Sequence, residues 1–158
     1  MMPRFLLLAV LVLAGCRTAA PPTAGTPVAP SESVPLVLVS IDGFRWDYRD
    51  RADTPALDAL AADGVAAARL VPVFPTLTFP NHYSLVTGLH PEHHGIVGNT
   101  MRDATLGGFS LGNAAAVTDA RWWGGEPLWV TAERQGVRAG TMFWPGSEAA
   151  IGGVRPSL

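Results

Sequence analysis

Residues 34–41 read VPLVLVSI, and this unbroken aliphatic and β-branched run limits the fold more than any other stretch of the chain. Apolar side chains on consecutive positions leave no polar face for water, so the pattern predicts a strand buried on both faces, as in a parallel sheet covered by helices. The run ends in Asp42-Gly43, a turn pair. Downstream the period changes. Thr54 and Pro55 supply an N-cap and a first helical residue, Leu57 and Leu60 an apolar stripe, and Gly64 a stop. Residues 65–73 read as a second strand and residues 79–87 as a short helix closed by Gly88. Residues 126–135 read as an amphipathic helix closed by Gly136, and residues 137–143 as a third strand. Strands alternating with helices predict an α/β fold, a mainly parallel sheet flanked by helices. Between Gly88 and Gly125 the chain is rich in Gly, His, Asn and Asp; this stretch is too long for a simple connection and is expected to form functional loops.

Charge and cysteine content narrow the chemistry. The formal net charge is −2, which excludes a polybasic surface, so no nucleic acid is expected as a specific partner. With a single cysteine there is no intrachain disulfide and no Cys-based zinc motif, so any metal must be held by oxygen and imidazole. That cysteine, Cys16, follows a short basic start at residues 1–4 and an apolar run at residues 5–14, too short to cross a bilayer. Leu13-Ala14-Gly15-Cys16 resembles a bacterial lipobox, which implies lipidation of Cys16 after a signal peptide at residues 1–16. An ordinary signal peptide with an incidental cysteine is the plainer alternative. Arg17, where inner-membrane lipoproteins carry Asp, favours a lipid-anchored protein of the cell envelope, on the outer membrane facing the periplasm. Residues 17–33, rich in Pro, Ala and Thr, read as a tether, and residues 34–158 as one folded piece.

Two positions carry chemical promise. Asp42 lies at the carboxyl end of the first predicted strand, where α/β sheets collect ligands, although an Asp-Gly pair there is also an ordinary turn. In PTLTFPNH at 75–82, Thr78 precedes a predicted helix, whose free N–H groups and dipole would welcome a phosphate. A dipole alone does not make an alcohol nucleophilic at neutral pH, so a metal beside the hydroxyl is needed, with Asp42 as one ligand. Thr78 reads equally well as a plain N-cap.

The segments SIDGFRWDY at 40–48, TLTFPNHYSLVTGLHPEHHGIVGN at 76–99, WWGGEPLWVTA at 122–132 and FWPGSE at 143–148 together resemble the nucleotide pyrophosphatase/phosphodiesterase family of the alkaline phosphatase superfamily. The resemblance covers nearly all of residues 34–158. It implies an alkaline phosphatase-like fold, with Asp42 as a zinc ligand and Thr78 as a nucleophile that also touches zinc. It further implies that Asn99 holds the transferring phosphoryl oxygen and that Phe79 stacks on the nucleobase. The implied substrates are nucleotides or other small phosphodiesters, cleaved through a nucleoside monophosphoryl-threonine. Two zinc ions about 4 Å apart would stabilise the attacking and leaving oxygens.

A neutral amide such as that of Asn99 suits a diester, which carries less charge than a monoester; a monoesterase would more naturally place Arg there. A sulfatase would need Cys or Ser at the nucleophile, and TFPNH at 78–82 does not match. Family members with two zinc ions use further Asp and His ligands downstream of these motifs. The chain is therefore expected to be the N-terminal portion of a longer catalytic domain, inactive alone. A non-catalytic lipoprotein retaining part of the fold, or a phosphomonoesterase or phosphonate hydrolase of the same superfamily, are the alternatives.

His90, His93 and His94 could form a metal cluster, but Pro91 is expected to prevent regular helical presentation, which favours loop packing. His82 is four residues past Thr78 and shares its helix face, in a supporting role. Trp122, Trp123, Trp129 and Trp144 read as core or pocket wall.

Overall fold

A computed structural model describes residues 34–158. The expected signal peptide at 1–16, with Cys16, and the expected tether at 17–33 lie outside the described residues. Val39–Leu158 forms a compact unit. Its elements are α1 (Pro55–Asp63), α2 (Thr78–Thr87), α3 (Pro91–His94), β1 (Thr100–Asp103), β2 (Gly107–Ser110), α4 (Ala114–Val117) and α5 (Leu128–Arg134), with 3₁₀ turns at Tyr48–Asp50 and Ala120–Trp122.

The helices begin and end where local chemistry directs them. Pro55 occupies the first turn of α1 and Gly64 follows its last residue. Thr54 does not cap the backbone; its hydroxyl donates to Asp58 Oδ2 at 3.2 Å, on an exposed surface. α2 ends at Gly88, whose φ of 68° is the left-handed conformation that closes a helix with little strain. α5 is shorter than the predicted 126–135, because Pro127, in extended backbone, becomes its N-cap.

The predicted strands at 34–41, 65–73 and 137–143 do not form. Among the described residues the only ladder is the antiparallel pair β1–β2, with Met101 opposite Phe109. A strand is defined by its neighbour, and an extended segment without one leaves its apolar side chains in water. Leu36 is accordingly 90% exposed, Val65 100% and Phe143 98%. Near Gly140 one rung of the expected parallel pattern exists: Leu158 N–H donates to Ala139 O and Thr141 N–H to Leu158 O, both at 3.2 Å.

The segment between Gly88 and Gly125, expected to be loop, instead carries α3, the hairpin, α4 and a 3₁₀ turn. The hairpin turn is held by Asp103, whose Oδ1 accepts from the N–H groups of Thr105 (2.7 Å) and Leu106 (2.8 Å). These two donors lower the Asp103 pKa. The hairpin delivers Phe109 to the core, where Tyr83, Val86, Ile96, Trp122, Trp123, Trp129 and Val130 are also buried. Phe109 and Tyr83 meet Trp123 edge-on, with centroids 5.8 and 5.0 Å away. Trp123 Nε1 donates to Val117 O at 2.9 Å, and Tyr83 Oη to Gly124 O at 3.0 Å, so both polar tips are satisfied inside the apolar cluster. This core fixes α2, and with it the face that carries Thr78.

Candidate active site

Thr78 is the first residue of α2, and the N-cap is Leu77, in extended backbone. This replaces the N-cap reading: the threonine hydroxyl is free of the helix backbone and donates to Asp42 Oδ2 at 3.0 Å. Asp42 reaches it from a turn in which Phe44 N–H donates to Ile41 O, with Gly43 at φ 69°. The positive φ is what glycine permits cheaply and other residues do not. Asp42, Thr78 and Asn99 all line one open cavity of about 920 Å³.

Asn99 joins the pair through the helix backbone. Its Oδ1 accepts the Phe79 N–H at 2.9 Å. An N–H requires an acceptor, so the amide orientation is settled by this bond and the NH₂ end is left as the donor for a ligand. The same bond alters the anion site expected at the helix start. Pro80 has no N–H and that of Phe79 is taken by Asn99, so among the first three residues of α2 at most the Thr78 amide remains for a phosphate.

Asn81, which sequence reasoning passes over, stitches the approach to α2. Its Oδ1 accepts the Val73 N–H at 2.8 Å, and its Nδ2 donates to Pro75 O at 3.0 Å and Leu77 O at 2.9 Å. An asparagine in the first turn of a helix is a readable signal for such side-chain-to-backbone bonding. His82 donates from Nδ1 to Thr78 O at 2.8 Å and contacts Ser40 Oγ through Nε2 at 2.9 Å.

Phe79 turns away from the Thr78 cavity. Its half-buried ring packs on Phe109 and Trp123, with centroids 5.9 and 6.0 Å distant. It also forms one wall of a second cavity of about 540 Å³, lined further by Phe143, Trp144, Ser147 and Glu148. Trp122, Trp123 and Trp129 are core residues, and Trp144 is pocket wall.

The histidine run is not a metal cluster in this arrangement. Pro91 starts α3 rather than preventing it, because its fixed φ suits a first helical position. His90 and His93 are exposed. His94 is fully buried: its Nδ1 accepts the Ile96 N–H at 3.2 Å, so Nε2 carries the proton and donates to Ser84 Oγ at 2.9 Å. Burial lowers the His94 pKa from its ordinary 6.5. A depressed histidine pKa contributes stability above the unfolded pKa that is lost as pH falls. The thermal midpoint is therefore expected to drop as pH falls below about 6.5, the ordinary histidine value, and His94→Gln to flatten that slope in a Tm-versus-pH series. An unchanged slope would remove His94 from this role.

Zinc would find two adjacent oxygens at Asp42 and Thr78, a spacing compatible with both binding one ion. A catalytic zinc takes three protein ligands. Among the described residues no group of three or more His, Cys, Asp or Glu is placed to hold an ion. The pair therefore fits part of a coordination shell.

Comparison with known proteins gives a consistent family. The chain matches the family described as type I phosphodiesterase / nucleotide pyrophosphatase over residues 36–158. It is 48% identical over 127 residues to bovine ectonucleotide pyrophosphatase/phosphodiesterase family member 3, covering 78% of this chain and 14% of that protein. It is 46% identical over 149 residues to human family member 7, covering 92% of this chain and 32% of that protein. The structure is similar to murine ectonucleotide pyrophosphatase/phosphodiesterase 5, an inactive threonine-to-alanine variant in complex with AMP, with a TM-score of 0.70 and 41% identity over 75% of this chain and 32% of that one. The chain thus spans a third or less of the length of these relatives. Over the share that it spans, the family match, sequence identity and three-dimensional similarity agree, and the chain belongs to the type I phosphodiesterase/nucleotide pyrophosphatase family.

Proposed function

We propose that the protein hydrolyses nucleotide phosphodiester or pyrophosphate bonds and releases a nucleoside monophosphate, with Thr78 as nucleophile. The observation that carries this reading is the Thr78 hydroxyl at the start of α2, 3.0 Å from the Asp42 carboxylate and facing the same cavity as Asn99. Two findings on relatives support it: the matched proteins are named pyrophosphatase/phosphodiesterases, and the murine one is inactive with threonine changed to alanine and holds AMP.

In the proposed reaction Thr78 Oγ1 attacks phosphorus in line, and its proton is lost in the direction of Asp42, the acceptor it already faces. The P–O bond to the leaving alcohol or phosphate breaks, and Asn99 donates its NH₂ to a non-bridging oxygen. Water then displaces Thr78 Oγ1 from phosphorus, releasing the monophosphate and restoring the hydroxyl. A carboxylate alone is too weak a base for an alcohol. Zinc, with Asp42 and Thr78 among its ligands, would supply the positive charge that lowers the hydroxyl pKa. The aromatic cavity beside Phe79 is proposed to take the base, with Phe79 and Trp144 offering ring faces.

The test is a pair of chromogenic substrates, a nitrophenyl ester of a nucleoside 5′-monophosphate and nitrophenyl phosphate. It is run with zinc on the protein expressed from its gene, together with whatever follows Leu158 in the reading frame. The diester is expected to be the faster substrate, with nucleoside monophosphate as product. Preference for the monoester would make the protein a phosphomonoesterase, and no hydrolysis of either would make it a non-catalytic binding protein.

A further inference from the structure

His82 takes no part in the proposed chemistry, yet its imidazole is held on three sides. Nδ1 lies 2.8 Å from Thr78 O, and a carbonyl only accepts, so Nδ1 carries the ring proton. Nε2 is then the lone pair of the neutral ring, and the partner 2.9 Å away, the Ser40 hydroxyl, donates to it. On the third side the ring meets Trp144 edge-on, with centroids 5.7 Å apart, while Trp144 Nε1 donates to His82 O at 3.0 Å.

The two imidazole bonds join the two halves of the site. Ser40 stands two residues before Asp42, and Thr78 is the residue whose hydroxyl Asp42 accepts. The Thr78–Asp42 bond is exposed, so water competes for both groups and the bond cannot by itself hold their separation. The Ser40–His82 bond is partly buried and less open to that competition.

We propose that His82 is a positioning residue: through its Nδ1–H tautomer it straps Ser40 to the first turn of α2 and so holds the Asp42 carboxylate within reach of the Thr78 hydroxyl. The inference rests on the proposed function for its kinetic consequence, and on geometry alone for its structural one. Ser40 is the place to test it, because this residue lies outside the helices and its change removes one end of the strap while leaving the imidazole bond to Thr78 O intact.

Three measurements on the protein expressed from its gene decide the matter. In a ¹⁵N-histidine spectrum, Ser40→Ala should shift the His82 Nε2 resonance and leave Nδ1 in place; an unshifted Nε2 overturns the strap. In kinetics on the chromogenic nucleotide diester, Ser40→Ala should lower kcat about tenfold or more, the worth of one positioned hydrogen bond, with KM within about threefold. Ser40→Thr, which keeps the hydroxyl, should restore kcat. Wild-type kcat in Ser40→Ala, or an equal loss in Ser40→Thr, overturns the proposal. If the parent protein has no turnover, that failure belongs to the proposed function, and the crystal structure of the Ser40→Ala protein decides on the strap. Thr78 Oγ1 drawn out of hydrogen-bond reach of Asp42 supports it; an unmoved contact overturns it.

Discussion

Thr78→Ala is expected to lower diester turnover by about 10⁴-fold or more, on the scale of other nucleophile deletions. The proposed route forms and breaks a bond to Thr78 Oγ1, so the change removes the reacting atom itself. The fold should survive it. Thr78 is half-buried at the first position of α2, and its hydroxyl makes one exposed bond, to Asp42, so the cost in stability is about 1 kcal/mol or less. Far-UV circular dichroism and Tm should stay near those of the parent while activity disappears. Rapid acid quench with labelled nucleotide diester should trap a peptide carrying the nucleoside monophosphate on Thr78 in the parent and none in the variant. Thr78→Ser, which keeps an alcohol in place, should recover part of the rate. Turnover in Thr78→Ala within tenfold of the parent would remove Thr78 from the nucleophile role.

How far the sequence alone leads to this arrangement depends on the range of the forces involved. The start and end of α1 and α2 are legible because proline at a first turn and glycine just past the last one act through their own backbone dihedrals. Residues 55 and 64 for α1, and 88 for α2, are enough. The strands are not legible in the same way. The run at 34–41 has the composition of a buried strand, but a strand exists only through a neighbour, and composition does not name one.

The same division holds within the site. Four-residue spacing on a helix puts His82 over Thr78, and the side chain does bond the Thr78 carbonyl. Its other partner, Ser40, is 42 residues away in sequence, and no local pattern pairs them. The Asn99 bond to the Phe79 amide, across 20 residues, is hidden for the same reason. It depends on the hairpin and on α3, in a stretch whose many Gly, His, Asn and Asp residues read as loop. Within that stretch Asp103, a side chain that can accept from the N–H groups of the turn it opens, followed by Gly107, was the available hint of a hairpin.

The Asn99–Phe79 bond also makes a sharper experiment than deletion of the side chain. Asn99→Ala removes two things at once: the donor proposed to hold a non-bridging phosphoryl oxygen, and the acceptor that satisfies the Phe79 N–H. The first should cost about 2.7–4 kcal/mol of transition-state stabilisation, or 10²–10³ in kcat, if Asn99 acts as an oxyanion donor. The second should cost about 1–3 kcal/mol of stability, because a partly buried N–H is left unpaired. Asn99→Asp separates the two effects. A carboxylate of the same size still accepts from Phe79 and so preserves Tm, but it donates nothing and brings a negative charge towards the phosphate. Its kcat should therefore fall at least as far as that of Asn99→Ala, in a protein as stable as the parent. KM should change less than kcat in both, since the donor is proposed to matter most when charge builds on the phosphoryl oxygens. An Asn99→Asp protein with parental kcat would show that the Asn99 amide only ties down the helix. Equal losses in ground-state binding and in the barrier would make it a uniform binder of substrate.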